Sequence, residues 1–173
     1  SKLDVVADRK DANVSFTNIY AAEGENSFSG FKWLTHRLPK KDEFAFVIKD
    51  KDGKTITTTP FTNTVNNINY PKFKYVVDSA KTDSIEYKDG YIVVTVNAVE
   101  KLKDPFIYNI YEVTDPSKPY LTYVTDPIEL KITVKPTGKE LRPHVDELEV
   151  KIEKSEGNDF INDYYAEGHL KLY

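Results

Sequence analysis

Three polar residues, Lys32, Glu112 and Asn162, fall on strand faces that the residue periodicity predicts to be apolar. Asn162 alternates with Phe160 and Tyr164, so its side chain shares a face with two aromatic rings. Glu112 ends a face that otherwise carries only aromatic and aliphatic side chains. Lys32 shares its face with aromatic and aliphatic side chains, although the opposite face of that segment is aromatic as well. An amine, a carboxyl group and a carboxamide are therefore expected to point into one core.

Burial of these groups without partners would be costly, so we expect them to contact one another. Desolvation lowers the pKa of a lysine towards that of a neutral nucleophile and raises the pKa of a glutamate towards that of a proton donor. The Lys32 amine could then attack the side-chain carbonyl of Asn162 and release ammonia, leaving an amide cross-link. Protonated Glu112 would hydrogen-bond the oxyanion and shuttle protons, and fixed contact would supply the effective molarity.

Each of the three residues also has an ordinary structural interpretation. A lysine in a strand is usually exposed to solvent, and so is a glutamate at the end of a strand. An asparagine that precedes a turn usually caps that turn. Strand periodicity by itself leaves both interpretations open.

Alternation with a period of two residues dominates the chain, and no segment shows helical periodicity. Turn signals such as Asp52-Gly53, Asp89-Gly90 and Pro136-Thr137-Gly138 separate short apolar segments. This spacing predicts an all-β fold, an antiparallel β-sandwich or barrel. The predicted strands are Ser27–Leu34, Glu43–Lys49, Lys54–Thr59, Lys72–Val77, Ser84–Tyr87, Tyr91–Asn97, Pro105–Val113, Pro119–Val124, Ile128–Val134, Glu147–Ile152 and Asp159–Tyr165.

A repeat suggests how the chain is organised. Phe, Asn, Tyr, Ala, Glu and Gly recur in one register in Phe16–Gly24 and Phe160–Gly168. We interpret the two copies as module junctions in a tandem array. Residues 1–22 are then the closing strands of a preceding module or a linker, residues 23–166 one complete module, and residues 167–173 the start of the next. Asn18 matches the acceptor position of Asn162, with its own lysine and glutamate expected upstream of this chain.

The composition excludes several classes of function. A formal net charge of −4 argues against nucleic acid binding, which needs a basic surface. The absence of Cys excludes disulfides and thiolate sites, and three His without ligand spacing predict neither a metal nor a cofactor. Apolar runs such as Tyr91–Val96 are too short to span a membrane. With no signal peptide and no Met, the chain is expected to be a piece of a longer extracellular protein.

Four segments, taken in order, resemble a known family: SGFKWL at Ser29–Leu34, DEFAFVIKDKDGK at Asp42–Lys54, FIYNIYEV at Phe106–Val113 and FINDY at Phe160–Tyr164. Together they are similar to the CnaB-like modules of Gram-positive pilins and surface adhesins, of the streptococcal major-pilin type. These modules make their own intramolecular isopeptide bond.

The resemblance implies an immunoglobulin-like, CnaB-type antiparallel β-sandwich, with Lys32 as nucleophile, Glu112 as catalytic residue and Asn162 as acceptor. Two departures affect the expected strand count. Lys103–Phe106 replaces the glycine-rich lead-in of the family, and Pro60–Ala98 is longer and more irregular than the family pattern.

The expected function is that of a structural stalk module of a cell-wall-anchored pilin or adhesin, located outside the cell and not an enzyme that turns over a substrate. Its expected partners are neighbouring modules of the same polypeptide, and in isolation it should be a monomer that binds no nucleic acid and inserts into no membrane. The alternative is an adhesive module that binds a host glycan or matrix protein through its many Tyr side chains. A carbohydrate-active enzyme would need paired carboxylates, and no pair can be placed. Tyr70-Pro71-Lys72 resembles the pilin motif whose lysine a sortase joins to the next subunit, although it lies in the middle of the module.

Overall fold

The computed structural model describes residues 19–155 and 160–164, and within these ranges the chain is all-β, as predicted. Residues 16–18 of the N-terminal repeat copy, Asn18 among them, and residues 165–168 of the C-terminal copy lie outside the described residues. The only helix within those ranges is a 3-10 turn at Val99–Leu102, and no helix there is long and apolar enough to cross a membrane. The strands are β1 Ala21–Asn26, β2 Lys32–Leu34, β3 Ala45–Asp50, β4 Phe61–Thr64, β5 Asn67–Ile68, β6 Lys72–Asp78, β7 Ser84–Lys88, β8 Tyr91–Val96, β9 Phe106–Glu112, β10 Ile128–Arg142, β11 Val145–Lys154 and β12 Phe160–Asn162.

The chain divides into two compact units. The first contains the described residues of 19–27, 72–106 and 131–153, and the second those of 28–71, 107–130, 154–155 and 160–164. Strand β1 begins at Ala21 and runs through the predicted boundary between residues 22 and 23. The division into modules remains a prediction, because most of the two outer segments lies outside the described ranges.

In the first unit the strand order is β10-β11-β1-β6-β8-β7. Alternate residues of β6, among them Phe73, Tyr75 and Val77, are fully buried, as expected for a strand with one face in the core. The prediction of purely antiparallel pairing is wrong here, because β1 pairs in parallel with β11 and β6 pairs in parallel with β8. Strands that are distant in sequence are not joined by hairpin turns, so tertiary packing decides their direction.

Gly24 allows β1 to lie close to β11. A Cβ atom at this position would lie 2.1 Å from the main-chain oxygen of Leu148, which belongs to the neighbouring strand and cannot move away by itself. We therefore expect Gly24→Ala to lower the free energy of unfolding by about 1–3 kcal/mol or more through overpacking. Urea denaturation measures the loss.

Gly30→Ala provides the control for this prediction. The atoms nearest to a Cβ at Gly30 belong to the ring of Tyr70, which is a side chain and not the main chain of a neighbouring strand, so a smaller loss is expected. Equal denaturation midpoints for Gly24→Ala and the unchanged protein would show that β1 does not depend on this close approach.

The second unit contains the strand order β5-β4-β3-β9, followed by the first residues of β10, and a separate two-stranded sheet of β12 and β2. Strands β3 and β9 pair in antiparallel fashion, with Phe46 opposite Glu112. Strands β12 and β2 pair in parallel, with Phe160 opposite Lys32. Fully buried aromatic and aliphatic side chains fill this unit, including Phe44, Phe46 and Phe160.

Two predicted strands are absent. Lys54–Thr59 contributes only an isolated bridge, between Thr55 and Lys49, because the Thr57 hydroxyl replaces a main-chain acceptor and receives the N–H of Ile48 at 3.0 Å. Pro119–Val124 likewise contributes one isolated bridge, between Leu121 and Tyr164. Each segment therefore makes a single β-bridge, and neither forms a continuous ladder of main-chain hydrogen bonds.

Other differences concern strand ends. Ser27–Leu34 was predicted as one strand, but only its last three residues form β2. Pro136-Thr137-Gly138 is not a turn but lies inside β10, which continues to Arg142, and the chain reverses near His144, whose φ is 68°. Strands β1, β4 and β5 were not predicted, because their alternation is weak or they are too short to show a period.

Candidate functional site

Lys32, Glu112 and Asn162 meet in the interior of the second unit, contributed by β2, β9 and β12. Lys32 is 0% exposed and Asn162 is 1% exposed. The side chain of Glu112 is also 0% exposed. The ordinary alternatives, in which these residues face solvent or cap a turn, do not describe these three positions.

The parallel register of β2 and β12 brings the lysine and the asparagine together. Phe160 lies opposite Lys32 and Asn162 lies opposite Leu34, and the side chains of all four residues are buried. The residues between them, Trp33 and Ile161, point outward on the other face, as the pleat requires. The inward direction of Lys32, which the aromatic residues on both faces left open, is thereby settled.

The three side chains form a closed set of contacts. The Lys32 Nζ donates a short hydrogen bond to Asn162 Oδ1. Asn162 Nδ2 donates to Glu112 Oε1 at 2.6 Å, and Glu112 Oε2 lies 3.5 Å from Lys32 Nζ. The carboxyl group therefore contacts both the amine and the amide nitrogen of the carboxamide. We expected Glu112 beside the carboxamide oxygen, but it lies beside the nitrogen that would leave as ammonia.

Main-chain groups complete the polar surroundings of the site. Lys32 Nζ also donates to the carbonyl oxygens of Trp33 at 2.9 Å and Phe160 at 3.1 Å. The N–H of Val124 donates to Glu112 Oε1 at 3.0 Å, so this oxygen accepts two hydrogen bonds. The other carboxyl oxygen, Oε2, has no hydrogen-bond partner among the described residues and faces the amine.

One aromatic ring lies over the amine, and further rings pack together in the same unit. The centroid of the Phe44 ring lies 4.1 Å from Lys32 Nζ, and the Phe46 and Phe160 rings pack 5.0 Å apart. Tyr123 contacts Phe44 edge to face at 6.3 Å. These rings exclude water, so every electrostatic interaction within the site acts in a low dielectric.

Burial changes the ionisation of both titratable groups. Burial lowers the pKa of Lys32 to about 8, although the nearby carboxylate of Glu112 opposes that change. Burial raises the pKa of Glu112 above its usual range, with the Lys32 charge opposing the rise. Roughly a tenth of an amine with this pKa is neutral at pH 7, which gives a nucleophile at physiological pH.

We expect a bell-shaped pH profile for any reaction that needs a neutral Lys32 and a protonated Glu112. The pair of neutral side chains and the ion pair hold the same number of protons and differ only in where one proton lies. Both are depleted at low pH, where the two side chains together gain a proton, and at high pH, where they lose one. The rate should fall on the acid side below the raised pKa of Glu112 and on the alkaline side above about pH 8, the pKa of Lys32. The profile is measured by folding chain that has never folded before at a series of pH values and following the loss of ammonia by mass. A rate that still rises through pH 10 would contradict it.

Two contributions to the site were not predicted from the sequence. Phe44 belongs to an alternating aromatic segment, which indicates a buried face but not a contact with Lys32. The Val124 N–H comes from a segment without regular structure, and no sequence signal identifies a main-chain donor. Among the described residues no group of three His, Asp or Glu could hold a metal. Lys72, the lysine of the sortase-like motif, is exposed at the start of β6.

No protein-family model matches the chain, and no curated protein is significantly similar to it.

Proposed function

We propose that this chain is a structural module of a Gram-positive surface protein, a pilin or adhesin stalk, in which Lys32 and Asn162 form an isopeptide bond without an external enzyme. One observation carries the proposal: a fully buried lysine amine contacts the oxygen of a buried asparagine carboxamide, with a buried carboxyl group between the amine and the amide nitrogen. The module acts outside the cell, and its CnaB-type sandwich fold is part of the same proposal.

The reaction is an amide exchange. The Lys32 Nζ lone pair attacks Asn162 Cγ, the new C–N bond forms, and the carbonyl oxygen takes the negative charge. Protonated Glu112 delivers its proton to Nδ2, which lies beside Oε1, and takes a proton from the attacking amine, which lies beside Oε2. The C–Nδ2 bond then breaks, the carbonyl reforms, and ammonia leaves, with Glu112 returned to its starting state.

The surroundings favour the product over the reactants. Before reaction, the site holds a buried carboxamide and a buried amine whose charged form is disfavoured by desolvation. After reaction, both are replaced by one neutral amide, and the loss of ammonia to solvent makes reversal slow. The burial of both reacting groups, with the Phe44 ring over the amine, keeps out the water that would compete as a nucleophile.

The Lys32–Asn162 bond would make the module resist a tensile force along the chain. It joins two strands, β2 and β12, that lie side by side but are separated by 130 positions in the chain. Their three-residue parallel ladder is weak by itself. With the bond, the strands cannot separate without breaking a covalent bond, which is the property expected of a stalk under load.

Intact-protein mass spectrometry tests the proposal. The expected mass is that of the sequence less one ammonia, and after proteolysis the peptides of Lys32 and Asn162 should appear as one branched species. The unmodified mass in a fully folded sample would overturn the proposal.

A second function, glycan binding, is favoured by one observation. The rings of Phe31 and Trp33 lie 6.0 Å apart, and both side chains are 46% exposed, on the side of β2 opposite the site. Exposed aromatic pairs can stack on sugar rings. Quenching or shift of the fluorescence of Trp33, the single Trp, during titration with host glycans would support binding, and a flat titration would exclude this surface.

A further inference from the structure

Strand β12 is held to its neighbour by very little regular structure. It contains three residues, Phe160–Asn162, and among the described residues it pairs only with the three residues of β2. The reacting carboxamide sits on the last of them. A displacement of about 1 Å at a reacting group can reduce a rate a hundredfold, so the residues that follow β12 matter for any reaction of Asn162.

Thr35 holds the chain beyond β12 from one side. Its N–H donates to the carbonyl oxygen of Asn162 at 3.0 Å. Its hydroxyl accepts the N–H of Tyr164 at 3.1 Å and donates to Asp163 Oδ1 at 3.2 Å. One side chain thereby uses both its donor and an acceptor on the two residues after Asn162.

Thr122 holds the same segment from the other side. Its hydroxyl accepts the N–H of Asp163 at 3.1 Å, and its own N–H donates to the Asp163 carbonyl oxygen at 3.0 Å. The neighbouring Leu121 forms a bridge with Tyr164. Thr122 also belongs to the segment whose Val124 N–H binds Glu112, so this segment contacts both the acceptor strand and the carboxyl group.

We propose that Thr35 and Thr122 are positioning residues for the cross-linking reaction. Their hydroxyl groups fix the main chain at residues 162–164, so that the Asn162 carboxamide meets the Lys32 amine. This inference rests on the proposed function. The two threonines touch none of the reacting atoms and act through the main chain of residues 162–164 and the side chain of Asp163. Removal of either hydroxyl leaves Lys32, Glu112 and Asn162 in place but widens the range of positions that the carboxamide samples.

The test separates folding from bond formation in the full chain. All 173 residues are assembled by chemical ligation in denaturant, so that the chain has never folded. Dilution starts folding, which Trp33 in β2 reports by fluorescence, while acid-quenched samples report the loss of ammonia by mass. The variants are Thr35→Val and Thr122→Val, which keep the shape and remove the hydroxyl, with Thr35→Ser as the conservative rescue.

We expect Thr35→Val to fold with an unchanged fluorescence signal but to lose ammonia about tenfold more slowly, since two hydrogen bonds that hold the reacting geometry are gone. Thr122→Val should be slowed to a smaller extent, because the Thr122 hydroxyl bonds only Asp163, whereas the Thr35 hydroxyl bonds both Asp163 and Tyr164. Thr35→Ser should react at nearly the original rate. The control is Thr64→Val, which removes a hydroxyl that bonds main chain elsewhere in the same unit and should not change the rate.

A merely structural role predicts a different result: slower or weaker folding, but an unchanged rate of ammonia loss once the fluorescence change is complete. That result, or a rate for Thr35→Ser as low as that for Thr35→Val, would overturn the inference. If Thr35→Val fails to fold, the same measurement on Thr122→Val tests the inference, since Thr122 is exposed and its replacement should not disturb folding. An unchanged chain that folds and never loses ammonia would overturn the proposed function itself and is therefore distinguishable from failure of the positioning role.

Discussion

Glu112→Gln is expected to fold but to form the Lys32–Asn162 bond about 10²–10⁴-fold more slowly, which is the usual contribution of a positioned acid and base. The purified variant should therefore have the mass of the unreacted chain. Gln retains the shape of the side chain and an oxygen that can accept the Val124 N–H, so the packing around it should persist. It cannot take a proton from the Lys32 amine or pass one to Asn162 Nδ2. Intact mass measured over days after purification follows the reaction.

Glu43→Gln is the matched control for this variant. Glu43 is a half-buried glutamate of the same unit, and it forms a bidentate pair with Arg37 at 2.6 and 3.0 Å. Its charge acts on Lys32 only at a distance. The control should therefore lose one ammonia like the unchanged protein. Complete ammonia loss in Glu112→Gln would contradict the role assigned to this carboxyl group, whatever the control shows.

The second large effect concerns stability. Two variants, Asn162→Ala and Lys32→Met, block the bond from opposite ends. A cross-link that closes a loop of this length restricts the unfolded chain, and the chain-entropy treatment of disulfides gives about 5 kcal/mol for such a loop. Both variants should therefore lose a contribution of about that size, seen as a lower midpoint in guanidinium denaturation. The unfolded state should also become more expanded, with a larger m-value.

Lys32→Met separates the bond from the burial of charge. The carboxyl group of Glu112 faces no cation in this variant, and it faces none in the cross-linked protein either, because the lysine amine has become a neutral amide. A large difference in stability between the two therefore comes from the missing cross-link. Asn162→Ala instead leaves the amine buried with one partner fewer, and a somewhat larger loss is expected. If Lys32→Met were as stable as the unchanged protein, the bond would contribute nothing to stability, and a stalk function would lose its physical basis.

Much of the candidate site follows from local periodicity. Side chains in a strand alternate between two faces, so Asn162 between two aromatic residues and Glu112 after an apolar series are expected to face inward wherever those strands lie. The same reasoning identified seven strands within a few residues of their observed ends and the all-β class. It was weakest at Lys32, where both faces are aromatic, and there the pairing with β12 decided the direction.

The failures share one cause. Whether two strands pair, and in which direction, depends on residues far apart in the chain, and neither the parallel pairing of β1 with β11 nor that of β2 with β12 leaves a local signal. The predicted strand at Lys54–Thr59 is interrupted because the Thr57 hydroxyl, and not a main-chain carbonyl, accepts the N–H of Ile48 in β3. The extension of β10 through Gly138 overrides a local turn signal, since its partner strand continues alongside.

The sequence by itself determined the all-β class and the inward direction of Glu112 and Asn162, because side chains in a strand alternate between two faces; the direction of Lys32 needed the pairing of β2 with β12. The tertiary structure decided how they meet. It placed Glu112 beside the amide nitrogen instead of the oxygen, brought the Val124 N–H to the carboxyl group and set Phe44 over the amine. Those relations depend on distances between strands, and distances between strands arise only when the whole unit packs.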